Sequence, residues 1–257
     1  MQAKEDRNFV TALARGLAVL RCFTAQRPEL GTTEIARLTG MSQSTVWRLC
    51  YTLQKAGYLA SGKALDRLTV TPAVLSLGCE AVCDLGLVEA ALPRIREVAN
   101  RFRCSVSIAA YDRLEMVIVA RAAAHAALRL ELAVGSRLRV DTSAAGCAWL
   151  VGVGEAQREA VVQEAVAAHP KEKREIRAHV AEAVKTYERN GYVLNLGEYH
   201  PAVNAIGVPI ISADRTTVLG MNCGGASTVM TPDMLAGPVA TVMKALAKEL
   251  SVLVNAG

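Results

Sequence analysis

Between Thr32 and Leu59 the chain reads TTEIARLTGMSQSTVWRLCYTLQKAGYL, two short helical patterns hinged at Gly40-Met41. In the second, Val46, Leu49, Leu53 and Ala56 recur at the spacing of one apolar stripe on a helix. Ser42 is placed to accept the bare N–H groups of that helix's first turn, and Met41 to pack on Val46 as a hydrophobic staple. Upstream, Gly31 or Thr32 is the candidate cap of a shorter helix with Glu34 in its first turn and Ile35 and Leu38 on its buried side; Gly40 ends it. A short helix, a glycine turn and a second helix with a polar start make a helix-turn-helix, in which the second helix enters the major groove of DNA. Its open face carries Gln43, Ser44, Trp47, Arg48, Tyr51 and Lys55, and Thr32, Thr33, Ser42 and Thr45 at the two helix starts complete the candidate DNA-contacting set.

An ordinary helical hairpin with a solvated face would show the same pattern, so the charge distribution decides between the two. Residues 1–70 hold 10 Lys and Arg against 5 Asp and Glu, whereas residues 71–257 hold 19 against 19. The whole excess of +5 therefore lies with the helix-turn-helix, as expected of a segment that meets a polyanion. After the second helix, Tyr58–Ser61 and Leu68–Val70 read as two short strands around a polar turn. Such a wing follows the recognition helix, and its Lys63 and Arg67 are candidates for phosphates.

The N-terminus mixes charges of both signs and lacks a signal-peptide core, and acidic residues interrupt the most apolar later stretch, so a cytoplasmic protein without a membrane partner is expected. Seven cysteines among apolar neighbours argue against a disulfide framework. Cys79 and Cys83 share a helical face but have no further metal ligands nearby, so packing is the expected role and no metal or cofactor site is assigned.

Phe9–Phe23 adds a third helix to the basic domain, with Val10, Leu13, Leu17, Val19 and Leu20 on a broad apolar face. Residues 79–102 read as a linker helix broken at Pro93, and residues 10–22 and 80–92 as candidate dimer surfaces. From Cys104 onward strand-like runs dominate, interrupted by a helix beginning near Ser143, two charged helices between Glu155 and Asn190, and a last helix at Thr231-Pro232. The expected fold is α+β: a winged helix-turn-helix over 1–78, the linker over 79–102, and over 103–257 a mostly antiparallel sheet with helices at its ends and on one face.

Taken together, RGLAVLRCF, the helix-turn-helix and DRLTVTPAVLSLG resemble the winged-helix domain of the IclR family of bacterial transcriptional regulators. LRLELAVGSRLRVDTSAAGCAWL, GYVLNLGEYHPAVNAIGVPI and VLGMNCGGAS resemble that family's second domain, so the likeness covers nearly the whole chain. It implies a homodimer or homotetramer on operator DNA, no catalysis, and a GAF-like C-terminal α/β domain with a pocket for a small effector, often an organic acid. Carried over by position, the pocket residues would be Leu128, Ser143, Ala144, Ala145, Asn195, Ala205, Met221, Cys223 and Ser227. A helix start of small residues is a natural anion site, and because no Arg or Lys falls in this set the expected binding is modest. Asp141-Thr142, Cys147 and Gly225 depart from the family pattern, which leaves the effector's chemistry open.

Two other readings compete. A small-molecule hydrolase would use Cys147 as nucleophile and His200 as base, although no orienting carboxylate can be assigned. A constitutive DNA-binding protein would have the first domain's function and no effector.

Overall fold

The computed structural model describes residues 8–24, 26–83, 87–124 and 132–254. Two compact units divide the chain, Met1–Ala81 and Val82–Gly257. The first holds α1 (Thr11–Arg21), β1 (Glu29–Leu30), α2 (Thr32–Thr39), α3 (Gln43–Lys55), β2 (Leu59–Ser61), β3 (Leu68–Val70) and all but the last two residues of α4 (Ala73–Cys83).

The helix-turn-helix is built from the local signals that predict it. The Gly31 N–H donates to Glu34 Oε2 at 3.0 Å at the start of α2. Gly40 ends that helix at φ 69°, a left-handed conformation that glycine adopts without a Cβ penalty. Ser42 Oγ then accepts the Thr45 N–H at 3.4 Å to cap α3. Val19, Ile35, Val46, Cys50, Leu59 and Leu68 form the core, with Met41 packed against it. Three apolar assignments change. Cys50 rather than Ala56 completes the buried stripe of α3, Leu38 is 40% exposed, and on α1 Val19 is buried while Leu13 and Leu17 face outward. The wing also gains a third strand, in the order β1-β3-β2, with Glu29 opposite Thr69 and Leu30 opposite Leu68. A two-residue strand has no periodicity of its own to announce it.

The second unit comprises α5 (Leu87–Phe102), β4 (Ser105–Asp112), β5 (Glu115–Ala123), β6 (Arg137–Arg139), α6 (Ala144–Gly152), α7 (Glu155–Ala168), α8 (Lys173–Asn190), β7 (Val193–Leu196), β8 (Val203–Ile211), β9 (Val218–Ala226), α9 (Pro232–Met234) and α10 (Ala240–Leu253). The strands form one antiparallel sheet in the order β6-β5-β4-β9-β8-β7. Helices cover both of its faces, not one face and the ends: α5 and α10 pack on one side, α6, α7 and α8 on the other. Every residue of β8 up to Ile210 is buried, as two-sided coverage requires. On the α6 side Trp149 stacks on Tyr111 with ring centroids 4.0 Å apart.

The break that Pro93 predicts is absent, for α5 runs through it. Leu87, Ala91, Ile95, Val98, Ala99 and Phe102 are all buried on one side of this helix, and that burial outweighs the hydrogen bond a proline removes. Leu87–Phe102 is therefore part of the second unit's core instead of a connector. The side chains of Cys79 and Cys83, and His125 and Leu128 altogether, lie outside the described residues. Among the described residues no helix is long and apolar enough to cross a membrane.

Candidate functional site

The polar face of α3 is open. Trp47 is 58% exposed and stacks on Tyr51 at 5.6 Å, and the Lys55 ammonium lies 5.5 Å from the Tyr51 ring. Gln43 Nε2 donates to Thr33 Oγ1 at 3.0 Å, which orients Gln43 across the two helices. Ser42, Ser44 and Arg48 are exposed, and Arg48 has no ion pair among the described residues. Between α3 and the wing runs a groove bordered by Thr32, Thr33, Gln43, Trp47, Tyr51, Lys63 and Arg67. Seven of the twelve candidate DNA residues thus border one groove, and Ser42, Ser44, Thr45, Arg48 and Lys55 lie outside its lining. The Arg67 guanidinium pairs with Glu34, so the wing is tied to α2 by a group that phosphate would have to compete for. The Lys63 N–H donates to Glu29 Oε1 at 3.1 Å, which ties the wing turn to β1. Leu65 on the wing turn is 92% exposed and borders the same groove.

A cavity opens in the second unit where α6 begins. A Cβ at Gly207 would overlap the Ala144 carbonyl and one at Gly220 the Ala145 carbonyl, so these glycines let the helix start lie directly on β8 and β9. Ser143 caps α6: its hydroxyl donates to the Arg139 carbonyl at 2.7 Å and accepts the Gly146 N–H at 3.1 Å. From β7, Asn195 Nδ2 donates to the Thr142 carbonyl at 2.7 Å, and its Oδ1 accepts the Tyr199 N–H at 3.2 Å. The space they border is about 50 Å³, room for a few waters or a carboxylate head.

Strand register supplies the polar side of that space. Arg121 lies opposite Ser107 and Ser107 opposite Asn222, while in the next row Ser105 faces Gly224, Gly224 faces Ala205 and Ala205 faces Asn195. The half-buried Arg121 guanidinium donates to Ser107 Oγ at 2.9 Å and to Ser105 Oγ at 3.1 Å. It has no carboxylate partner among the described residues, and burial lowers its pKa from the usual arginine value. Asn222 Oδ1 is buried without a hydrogen-bond partner among the described residues.

Of the predicted pocket residues, Ser143, Ala144, Ala145, Asn195 and Ala205 border the cavity. Met221 and Cys223 do not. They flank Asn222 on β9, and because successive strand residues face opposite ways, both are buried against the α5 and α10 side. Cys223 Sγ there lies 3.2 Å from that of Cys104. Ser227 also falls outside the lining, its N–H donating to the Ala202 carbonyl at 2.9 Å. Arg121 overturns the expectation of a pocket without a cation, and its signal was a lone arginine inside the apolar run MVIVARAA.

The Cys147 thiol is buried, 3.7 Å from the Asp141 carbonyl, and burial pushes its pKa up to about 12. His200 Nδ1 is occupied by the Ala202 N–H at 3.2 Å, and no hydrogen bond joins it to Cys147. A neutral thiol without a base is no nucleophile.

A winged helix-turn-helix unit followed by a two-sided sheet with a polar cavity defines a two-domain DNA-binding regulator. The chain belongs to the IclR family of bacterial transcriptional regulators: residues 12–61 match the IclR helix-turn-helix domain, and residues 79–252 the C-terminal domain of bacterial transcriptional regulator IclR. The HTH-type transcriptional regulator TsaQ1/TsaQ2 of Comamonas testosteroni is 28% identical over 94% of this chain and 87% of its own. Among solved structures, an IclR family transcriptional regulator from Brucella abortus is 32% identical, superimposes with a TM-score of 0.83 and is covered to 95%, for 98% of this chain. An IclR homologue from Microbacterium hydrocarbonoxydans, solved in complex with 4-hydroxybenzoate, shares the fold at 22% identity and a TM-score of 0.76, over 96% of this chain and 100% of its own.

Proposed function

We propose that this protein is a cytoplasmic regulator of a catabolic or transport operon whose operator affinity is set by a small organic acid. The α3 face and the wing meet DNA, with Gln43, Ser44, Trp47, Arg48 and Tyr51 toward the bases and Lys55, Lys63 and Arg67 toward phosphates. The acid occupies the cavity under the start of α6. That cavity is the observation that carries the reading: a DNA-binding protein without an effector has no use for a cation and an amide oxygen that lacks a partner among the described residues, held beside a helix start in its second unit. The 4-hydroxybenzoate bound by the Microbacterium relative supports the same ligand class.

The chain acts as a homodimer or homotetramer, since one recognition helix reads too few bases to select an operator. The outward face of α1, with Leu13 and Leu17, and the Phe9 and Val10 that precede it, all at least 50% exposed, is the favoured subunit surface. Residues 80–92 are weaker candidates because Leu87 and Ala91 are buried within their own unit.

The test starts from an operator selected out of random duplexes by the full chain, followed by a thermal-shift screen of small organic acids. At least one acid should raise the melting temperature and change operator affinity, and operator should change the affinity for that acid by the same factor. Acids that bind and leave operator affinity untouched would return the protein to a constitutive DNA binder.

A further inference from the structure

We propose that Arg121 anchors the cavity's ligand by pairing with a carboxylate, with Asn222 as the second polar contact, so that the site selects acids carrying one carboxylate on an apolar body. This deepens the effector reading above and rests on it. The contrast with neighbouring arginines carries the inference. Arg137 is paired with Asp112 and Glu115, and Arg139 with Asp141 and Glu172, so each has its charge matched twice. Arg121, further from solvent, has among the described residues only the hydroxyls of Ser105 and Ser107.

Hydroxyl oxygens satisfy N–H geometry without neutralising the cation, and a guanidinium withdrawn from water without a counter-charge is costly. The two serines occupy two of its roughly five N–H donors, and the planar fork matches a carboxylate. Asn222, also on the cavity side, holds a buried oxygen without a partner among the described residues. A half-turn of its amide puts the NH₂ where the oxygen stands, giving a carboxylate a further donor.

The rest of the lining sets the ligand's other end. Ser143 and Asn195 are committed to internal hydrogen bonds, and alanine, leucine and valine side chains make up most of the remaining wall. A second carboxylate would find no second cation among the described lining residues.

Calorimetry on the whole chain tests this with butyrate and benzoate, their uncharged amides butyramide and benzamide, and the dianions succinate and terephthalate. The monocarboxylates should bind at least about tenfold tighter than the amides, as the loss of charge-assisted hydrogen bonds dictates, and tighter than the dianions. Arg121→Gln should abolish the preference for acid over amide, and Arg121→Lys should restore part of it. Amides that bind as well as the acids, or a folded Arg121→Gln that keeps the preference, would overturn the anchor while leaving an effector site intact. The comparison of acid with amide uses the unaltered protein, so it holds even if the variants do not fold. If no monocarboxylate of two to eight carbons binds or stabilises the protein, both the anchor and the effector reading fall.

Discussion

Arg48 and Arg67 carry the same charge in the same unit with unequal freedom. Arg48 is exposed with no ion pair among the described residues, whereas Arg67 is paired with Glu34, which also accepts the Gly31 N–H. Arg48→Ala should therefore leave the melting temperature unchanged and cost about 1–3 kcal/mol on the operator, relaxing preference at one position per half-site. Fluorescence anisotropy on single-base variants of the operator measures it, and equal loss on every sequence would make Arg48 a phosphate contact. Arg67→Ala should lower affinity and melting temperature together. Burial raises the Cys147 pKa from 9.0 to about 12 and the Cys50 pKa to about 11, which gives a pH prediction. The unfolded thiols ionise near 9 and the folded ones only higher, so unfolding releases protons in that window. Stability is thus unaffected by these groups below about pH 9 and falls as pH rises above it. Denaturant titrations at pH 8 and pH 10 check the sign.

At the scale of elements, the contact between α6 and the sheet depends on Gly207 and Gly220, where a methyl group meets the Ala144 or Ala145 carbonyl first and, at Gly207, the Val193 side chain as well. Alanine at either position should destabilise the fold by about 1–3 kcal/mol and displace the helix start. Ligand binding in a folded variant should weaken by more than DNA binding does, and equal effects on both would break the link between this contact and the cavity. Neither glycine stands out in the sequence, because each sits in an apolar run whose register becomes visible only when β8 and β9 pair. The same fact separates what could be read from the chain and what could not. Gly40, Ser42 and the spacing of Val46, Leu49 and Leu53 act within a few residues, so the helix-turn-helix was legible. Pro93 misled because the burial that holds α5 together comes from distant strands. Met221 and Cys223 were placed in the pocket one residue out of step, and in a strand one residue is the whole difference between a wet face and a dry one.

For the molecule as a whole, the division of charge between the two units predicts how it meets DNA. If Lys55, Lys63 and Arg67 of two subunits contact phosphate, the slope of log affinity against log salt should be roughly −5, about −0.9 per contact. A flat response would remove all of these phosphate contacts, on α3 and on the wing alike. Sedimentation should show a dimer or larger species at micromolar concentration, and Leu13→Glu with Leu17→Glu should shift it toward monomer and weaken operator binding more than acid binding. An unchanged mass would exclude the α1 face.

The chain's two tryptophans are divided between its units, Trp47 wet and stacked on Tyr51, Trp149 dry and stacked on Tyr111. Their emission should differ in colour, red-shifted from Trp47 and blue-shifted from Trp149. Acrylamide should quench the first and spare the second. Each unit therefore carries a native optical probe, and a single sample excited at one wavelength can report occupancy of the DNA face and disturbance of the sheet as two separable signals.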